Sequence, residues 1–342
     1  MSIDVDSSVH PSQLHSTNPT PFPTLLEGNN INPLELTTYQ NVIDETFFFL
    51  SRRLHAPYCL LKVVELGLWF FPRGILPALS GADDLENSLT AHVGIDKVSF
   101  IRSCSIGENV VQVCGAGMKR VATELSGNDP AVVCEDVDPA IVAQRIMTVV
   151  LARPDQLCLA IKRVYVHESV YDAVLDEMVK YVENVKVSNP LKDAYVGPIS
   201  NHIENPNLDV MPKHAQSVEG FNGFFIRPII VRNPPDDARV VVEEAFGPIV
   251  PIVKWLEEAE VIQRAINTDF GLDTSVWSRD LVQAGRIANK QQAGNVYIDT
   301  HGEVQGSNVF AGYKHSGIGT NVGIDGLKGW CNIQSLYTRP LR

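Results

Sequence analysis

The clearest hydrophobic pattern in the chain lies after residue 169. Val170, Val174, Met178, Val182 and Val185 recur at near-helical spacing, which predicts an amphipathic helix with one apolar face. Ser169 and Asp172 predict a capping-box start for it. Upstream, Asp138 and Pro139 predict an N-cap and first-turn proline for a helix reaching about Ala152. Tyr58 to Phe70 reads as an apolar helix broken by Pro72 and Gly74, Ala82 to His92 as a polar helix, and Ser105 to Ala116 as another. Leu256 to Asn267 and Asp280 to Gln292 also read as helices, with Gly294 ending the second. Short apolar runs at Ile75 to Leu79, Lys97 to Ile101, Arg120 to Leu125, Ala131 to Cys134, Ala160 to His167 and Asn295 to Asp299 read as strands. Strands alternating with helices at this spacing predict an α/β protein with a parallel layer. Residues 200 to 222 show no periodicity and read as a loop. Residues 1–44, rich in Ser, Pro, Asn and Thr, read as disordered.

Composition changes this picture little. Of 342 residues, 44% are hydrophobic and 20% charged, which suits packed cores, and the length allows two domains. The net charge of −12 argues against nucleic acid or an anionic membrane as partner, because both would repel the surface. Six cysteines, at 59, 104, 114, 134, 158 and 331, are scattered without metal-type pairs, which fits a reducing compartment. The first ten residues lack a basic region and an apolar run, and Val63 to Phe71 is interrupted by Glu65, so the expected location is cytoplasmic, without a membrane span.

Four segments can carry chemistry, and each has an ordinary reading as well. Val121 to Pro130 places Glu124 at a strand end before Gly127, where a partly desolvated carboxylate can act as a general base; a surface glutamate is the commoner occupant. Cys158 lies between two leucines, as small core cysteines do; a nucleophile there needs its thiolate stabilised. Phe100 to Gly107 is a strand-to-helix turn that can present backbone N–H groups to a phosphate, or simply cap a helix. Glu243 to Pro248 and Phe310 to Gly317 each read alone as tight turns.

Taken in order, these blocks resemble the signatures of the aldehyde dehydrogenase superfamily over about residues 58 to 342. The resemblance rests on Glu124 to Pro130, Gln156 to Cys158 with Arg163 to Ser169, Glu243 to Pro248, and Gly312 to Gly317 continuing through Gly319 and Gly323 to Trp330. Cys158 follows Glu124 by 34 residues, a separation typical of that family. The resemblance implies an incomplete Rossmann-type cofactor domain over 45–127, an α/β catalytic domain over 128–328 and a C-terminal oligomerisation strand over 329–342. It implies NAD or NADP as cofactor, a small aldehyde as substrate and a homo-oligomer. By matching position Cys158 would be the nucleophile and Glu124 the base for water. Ser103 and Gly107 would meet the cofactor pyrophosphate, and Glu244 and Phe246 would flank its nicotinamide end.

The chain also departs from that pattern. No equivalent of the family's Thr-Pro-Trp-Asn segment is found, and loss of one oxyanion donor costs about 100- to 1000-fold in turnover. Ser51 to Leu54 stands where a Lys-Pro-Ser-Glu motif is expected, and Arg102 replaces a glycine before Ser103. Asp155 replaces a glycine three residues before Cys158 and is expected to raise the thiol pKa. An impaired pseudoenzyme or partner subunit, and a thiol hydrolase using the same Cys158 and Glu124, are therefore the alternatives to an active dehydrogenase.

Overall fold

The computed structural model describes residues 50–53, 58–71, 74–81, 83–189, 194–199, 215–218 and 221–339. Residues 1–49 and 200–214 lie outside it, and with them the disorder expected for 1–44 and most of the loop expected at 200–222. The chain divides into two compact units between Ile95 and Asp96.

In the first unit, strand β1 (Leu50–Arg53) runs parallel to β2 (Ala78–Gly81), with helices α1 (Tyr58–Gly67) and α2 (Asp83–Ala91). Leu61 and Val64 of α1 pack on Ala78 and Leu76, which is why the apolar run Tyr58 to Phe70 is helical.

The second unit begins with β3 (Lys97–Ile101), α3 (Cys104–Ala116) and β4 (Arg120–Glu124). It continues with β5 (Asp129–Val133), α4 (Pro139–Val150), β6 (Ile161–His167), α5 (Tyr171–Asn184) and the hairpin β7 (Ala215–Val218) and β8 (Phe221–Ile226). Then come β9 (Ile229–Arg232), β10 (Ile249–Trp255), α6 (Glu258–Ile266), β11 (Phe270–Gly271), β12 (Asp273–Trp277), α7 (Leu281–Ala288) and β13 (Asn295–Ile298). The short pieces β14 (Tyr313–Lys314), β15 (Gly317–Ile318) and α8 (Gly323–Lys328) complete it.

Six strands form one sheet in the order β13-β12-β5-β6-β10-β9, every pair parallel, as the alternation of strands and helices predicts. Side chains alternate across it. Ala131, Val133, Val164 and Val166 face α4 and α5, while Val132, Cys134 and Tyr165 face α6 and α7. Both faces are covered, so the strands read as continuous apolar runs rather than alternating ones. Asp138 caps α4 as predicted, accepting from Ala140 N at 3.0 Å and Ile141 N at 3.3 Å. Asp280 caps α7 in the same way, accepting from Val282 N at 2.8 Å.

Some boundary expectations fail for identifiable reasons. Helix α5 starts at N-cap Val170 without a side-chain cap, because Ser169 Oγ is engaged with His167 Nδ1 at 2.8 Å and Asp172 with Arg232 at 3.1 Å. Helix α7 ends at Asn289, not Gly294. Gly294 is glycine for closeness: a Cβ there would lie 1.5 Å from the Ala311 carbonyl oxygen. Of the strand expected over 329–342, residues 331–339 take no regular structure and are exposed. An extended segment becomes a strand only when a neighbour pairs its N–H and C=O groups. Among the described residues no helix is long and apolar enough to cross a membrane.

A smaller sheet, β15-β4-β3, ties the C-terminal turn region to residues 97–124. That sheet holds residues 97–127 in the second unit, whereas the resemblance set the domain boundary after residue 127.

Candidate functional site

Glu124 is the last residue of β4 and is held from both sides. It pairs with Ile101 of β3 in parallel register and with Gly317 of β15 in antiparallel register. The second pairing demands glycine, since a Cβ at 317 would lie 2.1 Å from the Thr123 carbonyl oxygen. Leu125 N donates to Ser316 O at 2.8 Å, and Ser316 Oγ donates to Ser126 O at 2.7 Å, which fixes the turn after Glu124. The carboxyl group is buried, with 3% of its residue surface exposed. Its Oε1 accepts from Asn321 Nδ2 at 2.8 Å, and its Oε2 has no hydrogen-bond partner. Burial pushes the carboxyl up to about 7; the Asn321 bond opposes this and the Asp273 charge adds to it.

Cys158 is half-buried in the turn before β6, closed by Ala160 N donating to Leu157 O at 3.1 Å. The loop after β4 lies directly on this turn. A Cβ on Gly127 would come within 2.5 Å of the Cys158 carbonyl oxygen. Gly127 N also donates to Glu244 Oε1 at 3.3 Å, which draws the segment before β10 to the same place. Burial, and after it the charges of Asp129, Glu244, Asp273 and Glu124, push the Cys158 thiol up to about 12. Four carboxyl groups thus act on one sulfur, two of them being Glu124 and Glu244 from the sequence reading.

The expected influence of Asp155 is corrected. Its charge is not among the largest acting on Cys158; its side chain is fully buried and paired with Lys162, Nζ to Oδ1 at 2.6 Å. Lys162 Nζ also donates to Asp155 O at 2.8 Å and sits 5.4 Å from the centre of the Phe246 ring. The aspartate therefore answers the lysine, and the thiol is raised by other acids. Asp155 has φ of +59°, the left-handed backbone that glycine adopts without strain.

Three participants escaped the sequence reading. Asp129 and Asp273 are each 1% exposed and His301 is 6% exposed. Asp129 Oδ1 accepts from Asp273 N at 3.1 Å, while Asp273 accepts from Asn295 Nδ2 at 2.8 Å and Tyr297 Oη at 3.3 Å. Burial pushes Asp273 up to about 7 and Asp129 well above the usual carboxylate range. It pushes His301 down to about 4, so that imidazole is neutral near pH 7. The visible signal was Asp273 and its two hydroxyl neighbours, Thr274 and Ser275, inside the run from Leu272 to Trp277, a polar insertion that a buried strand tolerates only with partners.

Ser103 is the N-cap of α3 and is exposed, and its side chain makes no bond to its own helix. No acidic residue lies in the first turn of α3, so its amide end is not countered by a carboxylate. Gly107 has a packing reason as well: a Cβ there would lie 2.4 Å from Leu125 Cδ2. Ser51 to Leu54 fall where no side chain is described, so the cofactor-motif expectation there lies outside the described residues.

A model of the aldehyde dehydrogenase family matches residues 54–336. A putative aldehyde dehydrogenase of Gibberella moniliformis is 34% identical over 329 residues, covering 93% of this chain and 68% of that protein. Among solved structures, a mutant aldehyde dehydrogenase of Bacillus cereus superposes with a TM-score of 0.79 at 28% identity, covering 84% of this chain and 62% of the other. The betaine aldehyde dehydrogenase of Staphylococcus aureus, in complex with NAD+, gives 0.77 at 25% identity, covering 82% and 59%. The chain thus spans about three fifths of the length of the solved structures it resembles.

Proposed function

The chain belongs to the aldehyde dehydrogenase family, and from that premise we propose that it oxidises a small aldehyde to the carboxylic acid, with NAD or NADP as acceptor. The observation that carries the proposal is the convergence of Glu124 and Cys158 on one neighbourhood, with the Glu124 carboxyl at about 7. A base whose pKa sits near the working pH is both available and strong enough to take a proton.

Cys158 attacks the carbonyl carbon as a thiolate, forming the C–S bond and a thiohemiacetal oxyanion. A bound nicotinamide dinucleotide supplies the two-electron acceptor that turns this adduct into a thioester. Glu124 then takes a proton from water as the water oxygen adds to the thioester carbon. Collapse of that adduct breaks the C–S bond, and acid and thiolate part. Asn321 holds Glu124 Oε1, and Oε2, buried without a hydrogen-bond partner, is the oxygen left to take the proton.

Residues suited to the cofactor are also present. The α3 amide end at Ser103, without an acid in its first turn, suits a pyrophosphate, and Gly107 lets α3 pack close to Leu125, next to the base. Glu244, tied to Gly127, and Phe246 would hold the nicotinamide end. Thiolate formation is opposed in this arrangement by four surrounding acids, so the sulfur becomes reactive when those acids hold protons or a cation stands among them.

The test is formation of reduced nicotinamide by the purified chain with a panel of aldehydes and each dinucleotide. Cys158→Ala is expected to abolish it. Glu124→Gln is expected to leave a single-turnover burst and to cut steady turnover by about 100- to 10,000-fold. No reduction with either dinucleotide, or full turnover in Cys158→Ala, refutes the proposal.

A further inference from the structure

One buried cluster has no catalytic step assigned to it above, although two of its members, Asp129 and Asp273, are among the acids acting on Cys158. Asp129, Asp273 and His301 each offer a ligand atom, and these atoms all lie within 4.8 Å of one another. They come from three elements: the start of β5, the start of β12 and the turn after β13. We propose that Asp129, Asp273 and His301 form a binding site for one divalent first-row cation of the Mn2+ type, beside the turn that carries Cys158.

Three features favour a cation over a plain polar core. First, Asp129 Oδ2 is fully buried without a hydrogen-bond partner, although Oδ1 of the same carboxylate accepts from Asp273 N. A buried orphan oxygen is costly unless something answers it, and an ion at this point does so. Second, the histidine is preset as a ligand. Its Nε2 lies 3.0 Å from the Leu159 carbonyl oxygen, which can only accept, so Nε2 carries the proton and Nδ1 presents a lone pair. A ring N–H donated to a backbone carbonyl is the arrangement that orients metal-binding histidines. The lone pair now receives the Ser275 hydroxyl at 2.9 Å, a bond that a cation would have to displace while Ser275 Oγ still accepts from Trp277 Nε1 at 3.0 Å. Third, Asp273 is steadied by Asn295 and Tyr297, one donor on each oxygen. A carboxylate oxygen keeps a second lone pair for a metal.

The ligand chemistry selects the ion class. Two carboxylates and one neutral imidazole suit Mn2+ and its first-row neighbours better than Ca2+, which prefers oxygen alone, or Cu+, which prefers sulfur. A cation bonded at about 2.1 Å holds its ligand atoms about 3–4 Å apart, so the cluster closes on it by a small contraction. Its charge would also stand among the acids that oppose the Cys158 thiolate.

The experiment is Mn2+ binding to the full chain, read by electron paramagnetic resonance and by calorimetry, with Cys158→Ser included to remove the thiol as a ligand. The expected result is one equivalent bound in wild type and in Cys158→Ser, with hyperfine coupling to a single imidazole nitrogen. His301→Gln should lose that coupling, and Asp129→Asn should weaken binding by about tenfold or more. Because a variant of a ligand can fail to fold, Asn295→Ala, which removes only a donor to Asp273, is measured beside them and should weaken binding severalfold. The proposal is overturned if wild type binds no Mn2+ up to about 1 mM, which marks the two aspartates as a proton-sharing pair. Nitrogen coupling that persists in His301→Gln overturns it equally. Neither readout depends on aldehyde turnover, so loss of the dehydrogenase reading would leave the cation site standing.

Discussion

Replacing Lys162 with methionine is expected to destabilise the second unit sharply. The side chain is 1% exposed and its Nζ lies 2.6 Å from Asp155 Oδ1, itself fully buried. Removing one member of such a pair leaves an uncompensated charge, which costs about 3–5 kcal/mol. Burial already pushes the Asp155 carboxyl well above the usual range, with Lys162 pulling it back. Without the lysine the folded value rises further above the unfolded one. The stability of the variant is therefore fullest below the unfolded carboxyl value, at about pH 4, and is lost as pH rises through the folded one. The partner substitution, Asp155→Gly, suits a φ of +59° and restores the residue expected at that position. The double variant Asp155→Gly/Lys162→Met should thus fall within about 1 kcal/mol of wild type. Urea unfolding followed by tryptophan fluorescence measures this, since Trp255 and Trp277 are buried in the large sheet. A Lys162→Met loss below about 1 kcal/mol at neutral pH, or a double variant no better than the single, refutes the reasoning.

Two further outcomes concern the base. Thioester or ester hydrolysis should rise with pH through about 7, and Asn321→Ala should move that limb upward, because the Asn321 bond opposes the rise caused by burial. An unmoved limb would remove Asn321 from its positioning role. Glu124 itself works against stability as it ionises: its folded value is raised, so its contribution is complete below the ordinary carboxylate value and lost through about 7. Gly317→Ala should cost about 1–3 kcal/mol and slow the base step, because the new methyl meets the Thr123 carbonyl oxygen at 2.1 Å. Unchanged melting and turnover would contradict that contact.

The parallel α/β layer was legible because its helices carry period and caps. Asp138 with Pro139, Asp280, and the Val170 to Val185 stripe each landed on the element predicted. Strands β9, β10 and β12 were not legible. Pro251 interrupts Ile249–Trp255, and Asp273, Thr274 and Ser275 make β12 look like a turn. Their polarity is answered by residues far away in sequence, such as Thr274 Oγ1 donating to Pro130 O at 3.2 Å. The same limit applied to the site. Cys158, Glu124 and Glu244 were visible as ordered blocks, and the structure brings them together. The role of Asp155 was not legible because nothing local shows that Lys162, seven residues on, folds back onto it. Asp129, His301 and Asn321 acquire meaning only from neighbours that no local window contains.

The pairing of β15 with β4, and the bond from Asn321 to Glu124, join positions 193 to 197 residues apart. On a ribosome the strand carrying Glu124 emerges long before its second edge exists. Closing so long a loop is slow, and it waits until residues 317–321 have been made. Until then the carboxyl group stays in water with an ordinary proton affinity, without the burial that raises it. A product truncated before Gly312 would therefore carry Glu124 without the β15 edge and the Asn321 bond that hold it.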